Sequence, residues 1–150
     1  MAEREKPSDA DLLRGLKSGA PPANRVVGGT IVALSQSKGT STYDFRPTPD
    51  VLNAAGFVAA GYLTQMLDQA CAIAGIAKSG QVPTTLEIKT TCLRAARLGS
   101  FRAEARVLKC GRSIAFIEAE LRDGAGELIA TATTTTNLVD MDKLREKSGV

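Results

Sequence analysis

Residues 53–68, NAAGFVAAGYLTQMLD, set one carboxylate, Asp68, inside a segment otherwise made of alanine, glycine, amide, hydroxyl and large apolar residues. A carboxylate taken out of water without a partner is costly, so Asp68 is either hydrogen-bonded by a neighbour or used. The 150 residues contain no histidine, which removes Ser-His-Asp and Cys-His systems, His-ligated metals and any imidazole acid or base. Chemistry here runs on carboxylates, hydroxyls, amides or backbone groups. Cys71 lies one turn beyond Asp68 with no histidine to activate it and reads as a small core residue. Asn53 is a residue type favoured in turns and caps, and Thr85 sits in a strand where β propensity alone accounts for threonine.

Composition narrows the partners. A net charge of +3 without dense Lys/Arg runs, and only Tyr43, Tyr62 and four phenylalanines for base stacking, argue against nucleic acid. Cys71, Cys92 and Cys110 are odd in number and lack CxxC spacing, so a reduced, cytoplasmic protein is expected, with no disulfide framework and no metal. The first ten residues are polar and charged, without a secretory apolar core. The long apolar stretch ending at Ala77 carries Gln65, Asp68 and Gln69 at its middle. A carboxylate there costs about 2.5–3.5 kcal/mol on insertion scales, so no membrane span is expected.

The elements that must position these residues follow from pattern. Ser8 reads as the cap of a short amphipathic helix carrying Leu12, Leu13 and Leu16, stopped by Gly19. After Pro21 and Pro22, residues 25–36 and 40–47 read as two strands joined at Ser37-Lys38-Gly39. Arg46 to Gly56 is an extended approach loop, and a helix from about Val58 to about Ala77 ends at Lys78-Ser79-Gly80. Four antiparallel strands follow, at 84–94, 101–109, 112–122 and 127–139. In the first, Leu86, Ile88 and Thr90 alternate against Glu87, Lys89 and Thr91. Residues 1–7 and 140–150 read as peripheral to a single domain spanning the chain. One helix, apolar almost all round, is best buried by a curved antiparallel sheet of about six strands wrapped around it, an α+β architecture.

This order resembles the hotdog fold, and the opening stretch resembles the signature of acyl-CoA thioesterases of the phenylacetate-pathway and 4-hydroxybenzoyl-CoA type. That signature runs Asn-x-x-Gly-x-Val-His-Gly-Gly, six residues, then Asp or Glu. Asn53, Gly56, Val58, Gly61 and Asp68 match in register, Ala60 replaces the first glycine of the pair, and Ala59 stands where the family has His. Residues 84–99, TTLEIKTTCLRAARLG, resemble the family's hydroxyl-bearing strand and the turn after it. The similarity covers most of residues 26–138.

The resemblance implies a thioesterase that hydrolyses acyl-CoA, with CoA entering as part of the substrate and no other cofactor. A non-catalytic acyl-CoA binder is the alternative. Free N–H groups at a helix start, at the positive end of its dipole, suit a carbonyl oxygen gaining charge. Asp68 lies eight residues beyond Ala60, ~12 Å along the axis at 1.5 Å per residue, too far for both to touch one thioester carbonyl. A two-fold homodimer, in a dimer of dimers, brings the two together from different protomers. By carry-over, the Ala60 N–H, beside Gly61, polarises the carbonyl and Asn53 helps hold that end of the substrate. Asp68 of the partner chain is base or nucleophile, and Thr85 orients the water. Phe57, Ala59 and Tyr62 are expected around the acyl group, and Arg94, Arg97 and Arg102 around the CoA phosphates. The missing His sets the chain apart from hotdog dehydratases and hydratases, which pair a His with a carboxylate.

Overall fold

A computed structural model describes residues 6–140 and 142–143. The readings made for residues 1–5, 141 and 144–150 lie outside the described residues. Helix α1 spans Asp9–Ser18, with Ser8 as its cap accepting the Asp11 N–H through its hydroxyl. Helix α2, Asn24–Val27, precedes strands β1, Gly29–Ser35, and β2, Thr40–Phe45. A 3-10 turn, Pro49–Val51, leads to the long helix α3, Ala60–Ser79, and then to β3, Val82–Cys92, β4, Phe101–Cys110, β5, Ile114–Asp123, and β6, Leu128–Val139.

The six strands form one antiparallel sheet in the order β1-β2-β4-β5-β6-β3, the hotdog arrangement expected. Alternation builds the core. Ala103, Ala105, Ala115, Ile117, Ala119 and Leu121 turn one face of β4 and β5 inward, against Leu63, Met66, Leu67 and Ala70 of α3. Small residues on the sheet let the helix come close. A Cβ on Gly75 would lie 3.1 Å from the Pro83 ring and 3.2 Å from Ile117, and Ser41 ties strand to helix by donating to the Ala70 carbonyl at 2.6 Å. The remaining helix face, through Gly61, Gln65, Asp68 and Ala72, is not closed over by the sheet.

Three expectations change. Residues 25–28 are not strand. The Pro21-Pro22 pair starts a helical turn through Asn24 N–H to Pro21 O and Arg25 N–H to Pro22 O, and Gly28 at φ +58 leaves it. Glycine is required there, since a Cβ would fall 2.1 Å from the Arg46 carbonyl oxygen. The long helix starts at Ala60, because Val58 bridges to Leu52 and donates its N–H to Ala96 O at 2.8 Å. The alternation that grouped Leu86 with Ile88 and Thr90 is broken: Leu86 is 62% exposed, at a β-bulge where the β3–β6 register shifts between Thr85 and Glu87.

Candidate active site

The start of α3 is fixed by backbone and left open to a ligand. On one side Val58 is held by Ala96; on the other Ala59 donates its N–H to Val51 O at 2.9 Å. The helix cap is Ala59, which supplies no side-chain acceptor, although Ser, Thr, Asp or Asn is preferred at such a position. The Tyr62 and Leu63 N–H groups reach back to Ala59 O at 2.9 and 3.4 Å. Those of Ala60 and Gly61 have no partner among the described residues. A Cβ on Gly61 would meet nothing within 4 Å, so close packing within this chain does not require glycine there.

The approach loop is built on Asn53. Its Oδ1 accepts the N–H groups of Ala55 and Phe57 at 3.0 and 3.2 Å, and its backbone pairs with Phe57 O and Gly56 N–H. The turn reading of Asn53 therefore holds for its oxygen, while the amide Nδ2 has no partner among the described residues. Gly56 takes φ +78, the left-handed conformation this loop needs.

Asn53, Phe57, Ala60 and Leu63 line one side of a cleft of about 330 Å³, with Cys92, Arg94 and Ala96 opposite. Arg97 lies with its guanidinium carbon 5.4 Å from the centre of the Phe57 ring, a cation–π contact. Arg94 pairs with Glu127 at 3.3 Å. Ala59 and Arg97 adjoin the cleft without lining it, and two further expected residues lie away from it. Tyr62 packs against the core and does not line the cleft. Arg102 stands on the outer sheet face, gripping Asp44 through two bonds of 2.7 and 2.9 Å; this ion pair holds the Asp44 carboxyl below the usual carboxylate range. A larger hollow of about 650 Å³ on that outer face contains neither the helix start nor Asp68.

Asp68 sits two turns along α3, half-buried, and its Oδ1 accepts the Thr85 hydroxyl at 2.8 Å. The bulge makes this bond. In β3, Glu87, Lys89 and Thr91 point outward, and unbroken alternation would turn Thr85 outward with them. The extra residue, Leu86, reverses the facing of Thr85 so that it meets the helix. The hydroxyl proton of Thr85 is thus engaged by the carboxylate, and Asp68 Oδ2 has no partner among the described residues. Cys71 is buried, and burial first, then the nearby Asp68, push its thiol up to about 12. No cluster of three His, Cys, Asp or Glu side chains able to hold a metal ion is assembled among the described residues, and none of the helices among them is long and apolar enough to cross a membrane. One residue that sequence reasoning left out, Cys92, faces the cleft; its alternation with Thr90 in β3 was the available signal.

The thioesterase superfamily matches residues 55–130. Among solved structures, the phenylacetic acid degradation-related protein of Ralstonia eutropha JMP134 is 34% identical, with a TM-score of 0.76 over 85% of this chain and 98% of that one. The PaaI protein of the E. coli phenylacetic acid degradation operon is 16% identical, with a TM-score of 0.77 over 88% and 96%. A Streptococcus mutans UA159 protein bound to acetyl CoA is 22% identical, with a TM-score of 0.68 over 73% and 87%. No curated protein matches the chain.

Proposed function

The chain belongs to the thioesterase superfamily, and from that membership we propose that it hydrolyses an acyl-CoA thioester to the free acid and CoA. The observation that carries this reading is the pairing of an uncapped helix start, with two N–H groups that have no partner among the described residues, with a half-buried carboxylate held by a hydroxyl on the same open face of α3. CoA as the thiol is supported by the acetyl CoA bound in the streptococcal neighbour.

The thioester carbonyl oxygen accepts from the Ala60 and Gly61 N–H groups, which stabilise the oxyanion of the tetrahedral intermediate. The Asn53 amide and Phe57 hold the same end of the substrate, and Ala59 leaves room beside them. A water molecule loses a proton to Asp68 Oδ2 as it attacks the carbonyl carbon, and collapse of the intermediate breaks the C–S bond while that proton passes from Oδ2 to the departing sulfur, releasing CoA as the thiol and restoring the carboxylate. Because ~12 Å of helix separates Ala60 from Asp68, the carboxylate comes from a second protomer across the open helix face. Thr85 acts by fixing the carboxylate, its proton being already placed on Asp68. Arg97 at the cleft rim meets the CoA phosphates, with Arg94 beside it.

Release of free thiol from phenylacetyl-, benzoyl- and straight-chain CoA esters tests this reading with three proteins. Asp68→Asn is expected to lower kcat by at least ~100-fold while ligand affinity is retained. Ala60→Pro deletes one N–H at the first helical position, where proline fits, and is expected to cost about 100- to 1000-fold in kcat without loss of melting temperature. Turnover unchanged by both sinks the mechanism. Wild type without turnover on any ester, but binding CoA, makes the chain an acyl-CoA binder.

A further inference from the structure

On the inner face of β6, Thr136 is 1% exposed, and its Oγ1 is buried with no hydrogen-bond partner among the described residues. A buried hydroxyl in that state is unfavourable, and valine would fill the same space and favour the strand equally without it. The sheet register offers a reason for the hydroxyl. Thr136 lies directly across from Thr85, with Thr85 turned to the helix side by the Leu86 bulge. Opposed residues of this kind have Cβ atoms about 4.5–5.5 Å apart, and threonine pairs so placed can hydrogen-bond. The Thr85 hydroxyl spends its one proton on Asp68 at 2.8 Å, which leaves its lone pairs to accept.

We infer that Thr136 is a positioning residue for the Asp68–Thr85 pair. A turn about χ1 makes its hydroxyl a donor to Thr85 Oγ1, so that Thr136, Thr85 and Asp68 form one directed chain of O–H···O bonds ending on the carboxylate. The chain keeps the Thr85 proton on Oδ1 and Oδ2 clear for the attacking water. Bonds in such a series polarise one another. No proton is transferred through Thr136, and the substrate does not touch it.

This inference rests on the hydrolytic reading above, and the test separates the two. Thr136→Val and Thr136→Ser are compared with wild type and Asp68→Asn for kcat, KM and melting temperature. Thr136→Val is expected to melt at or above the wild-type temperature, to keep KM within about 2-fold, and to lose about 5-fold in kcat, the equivalent of one neutral hydrogen bond. Thr136→Ser recovers that rate. Thr136→Val at wild-type kcat, with Asp68→Asn inactive, overturns the positioning role and leaves hydrolysis standing. A loss that serine does not restore assigns the effect to packing and also overturns it. Wild type inert on every ester removes both readings. A crystal structure with a non-hydrolysable thioester analogue checks the geometry directly: hydroxyl oxygens of Thr136 and Thr85 beyond about 3.5 Å are not bonded.

Discussion

At the scale of single residues, Asp68 differs in its support from the carboxylates paired with arginine. Glu118, Glu120, Asp11 and Asp44 pair with arginines at the surface, where an exposed pair contributes about 1 kcal/mol or less. Asp68 has a hydroxyl instead of a cation, so its charge is oriented but not neutralised, which suits a base that must accept a proton. The cysteines divide by the same logic of surroundings. Cys71, buried and pushed up to about 12, is a neutral thiol near neutral pH, whereas Cys92 is exposed on the cleft wall. Under native conditions at pH 8, iodoacetamide is expected to label Cys92 and spare Cys71, with CoA slowing the reaction at Cys92. Peptide mapping by mass spectrometry reads both, and equal labelling of the two would contradict the packing around α3.

At the scale of elements, an edge strand and a helix start carry the proposed site. Among the described residues β3 pairs only with β6, and its bulge lies on that edge strand; bulges concentrate at edges and next to functional sites, where they re-aim a side chain. Deleting Leu86 restores simple alternation and turns Thr85 away from Asp68. The deletion variant is expected to keep its far-UV circular dichroism and lose at least ~10-fold in kcat, matching Thr85→Val. Full activity in the deletion variant would show that the bulge does not position the pair. The other element, α3, is stabilised by its buried face and not by its cap. Ala59 contributes no capping bond, and tertiary packing of Leu63, Met66, Leu67 and Ala70 compensates.

At the scale of the whole molecule, the site reading requires two chains. Ala60 and Asp68 on one helix cannot reach the same carbonyl, and the face through Gly61, Gln65 and Asp68 presents small and polar groups that the chain covers only in part, Ala23 O accepting from Gln65 and Thr85 reaching Asp68. A mixed-subunit experiment tests sharing directly. Ala60→Pro and Asp68→Asn subunits are each inactive as pure assemblies, but a hybrid dimer contains one site with both lesions and one with neither. Random mixing after unfolding and refolding is expected to recover about a quarter of wild-type activity. Recovery of none would confine each site to a single chain and overturn the two-fold arrangement.

The sequence by itself determined the six strands and one long helix, the cap at Ser8, the stop at Gly80 and the spacing from Asn53 to Asp68, because periodicity, turn residues and helix caps are local signals. Arg102 was misplaced because its partner, Asp44, is 58 residues away and is brought beside it only by the pairing of β2 with β4. Leu86 was misplaced because a bulge is a property of two strands in register, and alternation within one strand carries no trace of it. The bond from Thr85 to Asp68 and the place of Thr136 opposite Thr85 depend on that same register. Residue types were legible in the chain; which of them face each other was decided only when β6 paired with β3 and fixed which way each side chain turned.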